Sequence, residues 1–296
     1  MRACVIFNPV ARGEKARRFR AHLAEIGRAA TLLETTAAGD ATRLATEAVA
    51  QGFDTIVAAG GDGTLNEVVN GLADAPGGLA RARLGVLPLG TVNVFARELS
   101  LPREPLAAWQ VVTAGRERKV DLPRAEWSSA GQVRRRWFCQ LAGAGLDARA
   151  VELVNWQTKK RLGPLAYVLS GLHALCERPA ALRATGAGQV LAGQLVLVGN
   201  GRLYGGTYGL FPEAELADGR LQVCVFPRAG WLSLFLAGPV LLLRGRVPER
   251  LVRRFAAPEV EVTCAGRSPF EVDGELAGEV PVKFLLQPQA LRVLVP

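Results

Sequence analysis

The stretch VAAGGDGTLNEVVNGL, Val57–Leu72, decides how the chain is read. It opens as the end of an apolar run, Phe53–Ala59, that predicts a buried strand. Leu65, Val68, Val69 and Leu72 then recur at the spacing of a helix that buries one face. Between the two lie Gly60, Gly61, Asp62, Gly63 and Thr64. Glycines let the chain bend tightly and let an anion approach main-chain N–H groups. The N-terminus of the following helix favours negative charge, and Thr64 can cap that helix or donate to a phosphate oxygen. Asp62 is the odd member, because a carboxylate repels a phosphate; it suits holding a metal or orienting another group. Taken alone, the stretch reads equally well as a strand-to-helix turn capped by Asp62. No Lys follows the last glycine, so it is not a Walker A loop, and it does not read GxGxxG.

Around this stretch the pattern alternates. Ala3–Phe7, Thr31–Leu33 and Leu84–Leu87 are short apolar runs, and Phe19, Leu23 and Ile26 fall at helical spacing. A helix over Ala41–Ala50 is expected with Asp40 as its cap, and another over Val92–Leu99. Strand and helix in turn predict a parallel sheet covered by helices, which binds ligands beyond the carboxyl ends of its strands. After Val120 strand patterns dominate: Arg118–Leu122, Arg136–Leu141, Gln189–Val198, Leu221–Phe226, Pro258–Thr263, Pro269–Val272, Val282–Leu286 and Leu291–Val295. Helical patterns intervene at Asp147–Lys160, Pro164–Cys176 and Trp231–Phe255. The expected organisation is therefore an α/β N-terminal domain with a parallel sheet, residues 1–121, followed by a mainly antiparallel β domain, residues 122–296. No Pro/Ser-rich linker separates them, so close packing with a cleft is expected.

The bulk composition fits two such domains. The chain has 296 residues, 49% of them hydrophobic and 21% charged, and a net charge of +9. That charge fits an anionic partner: nucleic acid, an acidic membrane surface or phosphorylated small molecules. Nucleic acid is disfavoured because the basic residues are dispersed, aromatics are 6%, and no recognition motif occurs. Five widely spaced cysteines without a CxxC, and only two histidines, argue against a zinc site or disulfide framework and for a reduced cytoplasm. MRACVIFNPV does not read as a signal peptide, and no stretch reaches the ~20 apolar residues of a membrane span.

A second turn, LGVLPLGTVNVFARELSLP (Leu84–Pro102), repeats the design, with Gly90, Thr91 and Asn93 at a strand end. GGDGTLNEVVNGL together with PLGTVNVFAREL resembles the diacylglycerol kinase catalytic-domain family, the lipid kinases that include bacterial lipid kinases and sphingosine kinases. The resemblance extends through Asn8-Pro9, TTAAGDAT (Thr35–Thr42), KRLGPLAYVLSGL (Lys160–Leu172), YGGTYGLFPEAELADGRLQV (Tyr204–Val223) and EVDGE (Glu271–Glu275), covering nearly the whole chain in order. NAD kinases and phosphofructokinase-like enzymes share the Gly-Gly-Asp-Gly-Thr turn, and the first domain is expected to be of their kind.

The resemblance implies an ATP- and Mg²⁺-dependent kinase acting on a hydroxyl of a diacylglycerol-like or long-chain-base lipid. It implies a nucleotide site lined by Thr35, Gly61, Asp62, Gly63, Thr64, Leu65, Asn66, Glu67 and Thr91. Asp62 is also expected to serve the chemistry. The proton acceptor is implied at Asp273-Gly274-Glu275, with Glu275 favoured and Asp273 supporting it; which carboxylate accepts stays open, and Asp-Gly is also an ordinary hairpin signal. Phosphoryl transfer asks mainly for positioning and charge neutralisation, which suits carboxylates of this kind. A structural Mg²⁺ distinct from the ATP-bound ion is implied at Glu215, Asp218 and the carbonyl of Arg220, hard oxygens of the right chemistry, although Asp218-Gly219 is also a turn. Two departures stand out: Val94 occupies a position where many members carry Asp, with Asp121 as a candidate substitute, and Val10-Ala11-Arg12-Gly13 follows Asn8-Pro9 where Ser-Gly is often found. Trp231–Leu243 followed by Arg244, Arg246, Arg250, Arg253 and Arg254, with Lys159, Lys160 and Arg161, reads either as a buried core helix with a solvated basic end or as an interfacial segment, and a cytoplasmic protein that sits peripherally on a membrane is expected. An NAD kinase-like small-molecule kinase and a nucleotide-binding regulator without catalysis are the alternatives.

Overall fold

The computed structural model describes residues 1–9, 14–153, 180–230, 240 and 247–296. The part of the expected helix Asp147–Lys160 beyond Leu153, the expected helix Pro164–Cys176, most of Trp231–Leu243, and the cations Arg12, Lys159, Lys160, Arg161, Arg244 and Arg246 lie outside those residues. The chain divides into two compact units, Met1–Leu122 with Gln287–Pro296, and Pro123–Leu286.

In the first unit β1 (Ala3–Phe7), α1 (Glu14–Ala21), α2 (Leu23–Gly27), β2 (Ala30–Glu34), α3 (Asp40–Ala50), β3 (Thr55–Gly60), α4 (Asp62–Asp74), α5 (Gly78–Arg81), β4 (Arg83–Pro88), α6 (Val94–Glu98) and α7 (Pro105–Ala114) follow one another. The strands lie in the order β2-β1-β3-β4 and are all parallel. Crossover helices must cover such a sheet, so its strands are apolar throughout: β1 and β3 are buried at every residue. Helix α3 turns Ala41, Ala45, Ala48 and Val49 inward and α4 turns Leu65, Val68, Val69 and Leu72 inward. The two helices meet at Gly71, where a Cβ would stand 2.3 Å from the carbonyl oxygen of Thr42. Helix α7 escaped the sequence reading, although Glu104 signals its start: the Glu104 carboxylate accepts from the amides of Leu106 and Ala107 at 2.7 and 3.4 Å, ahead of Pro105 at the first turn.

The second unit contains β5 (Arg116–Ser129, entering from the first unit), β6 (Gln132–Trp137), β7 (Leu141–Gly145), α8 (Leu146–Leu153), β8 (Leu182–Gly186), β9 (Gln189–Gly193), β10 (Leu195–Gly199), β11 (Leu203–Tyr204), β12 (Tyr208–Gly209), β13 (Leu221–Phe226), β14 (Arg253–Ala257), β15 (Glu259–Cys264), β16 (Pro269–Val272), β17 (Glu275–Glu279) and β18 (Val282–Val295). One antiparallel sheet runs β14-β13-β10-β7-β16-β17; another part of the unit pairs β18 with β15, β15 with β8, and β8 with β9, again antiparallel. Their inner faces share a core in which Phe270 meets Trp127 edge-on at 5.2 Å and Phe284 at 6.1 Å, and Phe138 meets Phe284 at 5.9 Å.

Several expected elements change. The predicted strand Arg136–Leu141 is two, because β6 and β7 flank Phe138–Gln140, whose amides serve other partners. Gln189–Val198 is also two, parted where the Gln194 amide donates to the Phe226 carbonyl at 2.9 Å. The helical pattern Trp231–Phe255 fails at its end: Arg253–Ala257 forms β14, because it pairs with β13 from Arg253↔Val225 to Ala257↔Leu221. Val282–Leu286 and Leu291–Val295 are a single strand, β18, whose last part pairs in parallel with β4 at Val293↔Leu84. That pairing places Gln287–Pro296 in the first unit, which corrects the expected end of the second domain. Phe270 is fully buried, so Phe270→Ala is expected to destabilise the protein by about 3–5 kcal/mol in denaturant unfolding.

Candidate functional site

The two glycine turns of the first unit are built against each other. The amides of Leu89 and Gly90 donate to the Gly60 carbonyl at 2.9 and 3.2 Å. A Cβ on Gly90 would stand 2.6 Å from the Gly61 Cα, and one on Gly60 would stand 2.4 Å from Thr64 Oγ1. Gly90 is therefore demanded by the close approach of two main chains, and Gly60 by the Thr64 side chain packed against it. Asn93 reinforces the second turn from a left-handed conformation (φ 53°) that Asn tolerates. Its Oδ1 accepts from the Gly90 amide at 3.0 Å, and its Nδ2 donates to the carbonyls of Gly90 and Pro88 at 2.7 and 3.2 Å.

Asp62 links the turns. It is the first residue of α4, and its Oδ1 accepts from the amide of Val94, the first residue of α6, at 2.8 Å. The carboxylate thus faces a helix N-terminus, where negative charge is favoured. Because position 94 meets Asp62 through its backbone, valine preserves the link. Arg97, which the sequence reading did not single out, lies close enough to feel the charge of Asp62. Its Nε donates to the Val92 carbonyl at 2.6 Å, and partial burial lowers its pKa from the usual guanidinium value. A basic residue one turn into the helix behind a glycine turn was the available signal.

The other expected nucleotide-site residues separate into two groups. Gly61, Gly63 and Thr64 lie in or beside the first turn, and Thr91 is exposed in the second. Thr35 follows β2 and its amide donates to the Phe7 carbonyl at 2.9 Å. Leu65 and Asn66 are buried on α4, and Asn70 Nδ2 donates to the Asn66 backbone and side-chain oxygens at 2.8 and 3.2 Å. Glu67 serves α3 instead: its oxygens accept from the amides of Gly39 and Ala41 at 2.9 and 3.1 Å. Asp40, expected as the cap, is the first helical residue and reaches back to the amides of Thr36 and Ala37 at 2.7 and 3.0 Å. The Thr36 hydroxyl, which donates to the same oxygen, and then those amides hold its carboxyl far below the usual range. Asp121 is 1% exposed and accepts from the Gln289 amide at 2.7 Å, tying the C-terminal segment to β5.

In the second unit the Asp273-Gly274 turn joins β16 to β17, with φ of 48° and 84°, the pattern of a tight hairpin. Asp273 turns inward: Oδ2 accepts from the Cys139 amide at 2.8 Å, and Oδ1 from those of Gln140 and Leu141 at 3.0 and 3.1 Å. It acts as an anchor for the turn. Glu275 has its side chain 44% accessible and ion-paired with Arg136 of β6. Beneath the turn, Glu271 accepts from the Gly274 amide at 2.6 Å, and Tyr204 donates to Asp147 Oδ1 at 2.7 Å. Burial drives the Glu271 carboxyl well above the usual range, with Asp147 adding to the effect, and the Asp147 carboxyl is raised as well. Sequence reading missed these acids because Glu271 sits in an apolar strand and Asp147 is distant from it along the chain.

At the expected metal site, Glu215 and Asp218 are exposed; Asp218 accepts from the Arg220 amide at 2.8 Å and the Glu215 amide at 3.4 Å. Their hard oxygens suit Mg²⁺, and the Asp218 carboxylate draws the loop together through those amides. Burial pushes the thiols of Cys4 and Cys224 up to about 12, so neither supplies a thiolate at neutral pH. No helix among the described residues is long and apolar enough to cross a membrane. Of the cations expected at a membrane, Arg254 instead contacts Glu249 at 3.2 Å, the Leu210 carbonyl and Cys224 Sγ, while Arg250 and Arg253 are exposed.

Two substitutions test this geometry. Asp273→Ala removes the acceptor of three amides and is expected to cost about 3 kcal/mol of unfolding free energy, with Asp273→Asn costing less. Gly90→Ala is expected to cost about 1–3 kcal/mol by pushing the turns apart. Denaturant titration of both reads the outcome, and wild-type stability in either Ala variant would contradict it.

Comparison with known proteins bears on the whole chain. Residues 2–125 match the family model described as diacylglycerol kinase catalytic domain, and residues 140–295 match that of the YegS C-terminal NAD kinase beta sandwich-like domain. A protein named "Diacylglycerol kinase" from Bacillus subtilis (strain 168) is 35% identical over 307 residues, covering 100% of this chain and 96% of that protein. One named "Probable lipid kinase YegS-like" from Pseudomonas aeruginosa (strain UCBPP-PA14) is 36% identical over 302 residues, covering 99% and 93%. A crystal structure described as a diacylglycerol kinase from Bacillus anthracis str. Sterne superposes with a TM-score of 0.78 at 24% identity, over 100% of this chain and 97% of that one, and shows the same fold. With the paired glycine turns and the β-rich second unit both accounted for over their full length, the chain belongs to the diacylglycerol kinase catalytic-domain family.

Proposed function

We propose that this protein is a lipid kinase that transfers the γ-phosphate of ATP to a hydroxyl of a diacylglycerol-like or long-chain-base lipid. The observation that carries the reading is the pair of abutting glycine turns at the carboxyl ends of β3 and β4, held by Asp62 and Asn93. Such turns suit the phosphates of a nucleotide, because backbone donors approach an anion without side chains in the way. Gly61, Gly63, Thr64 and Thr91 line the phosphate side, Thr35 belongs to the same nucleotide site, and Arg97 adds positive charge. Asp62 fixes the distance between the turns. Leu65, Asn66 and Glu67 support the site from helix α4 and hold α3.

Glu275 takes the proton of the lipid hydroxyl, and Arg136 beside it orients the carboxylate. Asp273 supports Glu275 by fixing the turn. The transition state of phosphoryl transfer is loose, so a weak base in the right place suffices. Mg²⁺ accompanying ATP would supply charge neutralisation at its phosphates; a separate Mg²⁺ at Glu215, Asp218 and the Arg220 carbonyl would tie a loop and take no part in the chemistry. The enzyme works in the cytoplasm at an anionic membrane surface, to which its net charge of +9 draws it.

Incubation with labelled ATP, Mg²⁺ and vesicles carrying diacylglycerol or a long-chain base, with and without anionic phospholipid, is the direct test. Labelled phospholipid should form, faster on anionic vesicles; label appearing only in NAD or another water-soluble acceptor would overturn the reading. Glu275→Gln and Asp62→Ala should each lower kcat by about 100-fold or more with the fold retained by circular dichroism. Chelation of Mg²⁺ should lower the Tm of the nucleotide-free wild type and leave that of Asp218→Asn unchanged.

A further inference from the structure

Glycine is required at position 143 because two acids converge there. A Cβ on Gly143 would stand 2.4 Å from Asp147 Oδ2 and 2.9 Å from Glu271 Oε1. The two oxygens thus lie over one glycine in the middle of β7, approached from α8 and from β16. Glu271 is 1% exposed. Its Oε2 accepts from the Gly274 amide, but its Oε1 has no hydrogen-bond donor when both acids are written as carboxylates. A buried acceptor without a donor is costly, and two neighbouring carboxylates cost more. One proton between Oε1 and Asp147 Oδ2 removes both penalties. Asp147 Oδ1 already has its donor in the Tyr204 hydroxyl, whose pKa is itself raised well above the usual phenol value, chiefly by Asp147, so it keeps its proton.

We propose that Asp147 and Glu271 share one proton at neutral pH, and that this pair, braced by Tyr204, holds the Asp273-Gly274 turn and so positions Glu275. Asp147, Tyr204 and Glu271 are positioning residues: they act on Glu275 through the Gly274 amide. The catalytic part of the proposal rests on the kinase reading above, whereas the shared proton stands without it. The charged neighbours have partners of their own. Asp273 is held by three amides, Glu275 by Arg136, Glu279 by Arg267, and Arg149 by Glu152, while β7 carries no titratable side chain.

The sign of the pH dependence follows. The folded protein keeps a proton that the unfolded chain loses in the ordinary carboxylate range, about pH 4–4.5. The stabilisation is therefore fully present below that range and is lost as pH rises towards the raised value of the pair. Across that window the unfolding constant should rise by up to about tenfold per pH unit.

The test compares wild type, Glu271→Gln and Glu271→Ala. The carboxamide of Glu271→Gln accepts from Gly274 and donates to Asp147 without a titrating proton, so its stability should rise relative to wild type from pH 5 to pH 8. Hydrogen exchange of the segment 271–276 should be unchanged in Glu271→Gln and at least tenfold faster in Glu271→Ala. With lipid and ATP, Glu271→Ala should lose tenfold or more in kcat with KM for ATP unchanged, and Glu271→Gln should restore most of that loss. Parallel stability curves for wild type and Glu271→Gln would overturn the shared proton, and slow exchange with full kcat in Glu271→Ala would overturn the positioning role. Should Glu271→Ala not fold, Tyr204→Phe replaces it in the exchange and kcat measurements, with a smaller change in the same direction expected. Absence of lipid phosphorylation by wild type would count against the kinase reading alone, since the stability and exchange measurements still decide the proton and the turn.

Discussion

The approach of two main chains, Gly60-Gly61 against Gly90, is the constraint on which the first unit depends. The contact fits only with no side chain on Gly90, and it brings together the beginnings of two helices that follow adjacent parallel strands. Asp62 answers the puzzle of an acid among glycines. It spans from one turn to the amide of Val94 at the other, where the partial positive charge of a helix end meets its own negative charge. An acid there stabilises the geometry of the two turns.

The second unit solves a different problem with similar means. A two-residue hairpin turn is cheap to form locally, but its orientation is not fixed by its own residues. Here it is fixed from beneath, by three amides on Asp273 and by Glu271 on Gly274. The core of Phe138, Phe270, Phe284 and Trp127 makes the platform on which those polar contacts are held. Buried polar contacts of this kind are costly when half made, so they favour one arrangement of the turn over its neighbours.

The alternation of strands and helices, the inward faces of α3 and α4, and the two glycine turns were legible because local spacing and local turn chemistry create them. The errors have a common cause. Arg253–Ala257 reads as the tail of a helix in an apolar and basic run, yet β13 offers it a free edge and makes it a strand. Phe138–Gln140 leaves the ladder because Asp273 claims the amides of the residues beyond Phe138, and Asp273 lies far away in sequence. Glu67 was legible as a residue of the turn motif, but its task at the N-terminus of α3 depends on how two helices pack.

By itself the sequence determined the class of fold, the positions of both glycine turns, the acidic hairpin and the family, since each is written in residues close together or in a pattern that runs along the chain. Only the tertiary structure decided that Asp62 spans to Val94, that the C-terminal strand returns to the first unit, and that Asp147, Tyr204 and Glu271 form one cluster. Those pairings join residues separated by tens to hundreds of positions, and their energies come from burial and from charge placed in a low-dielectric interior, neither of which local spacing records.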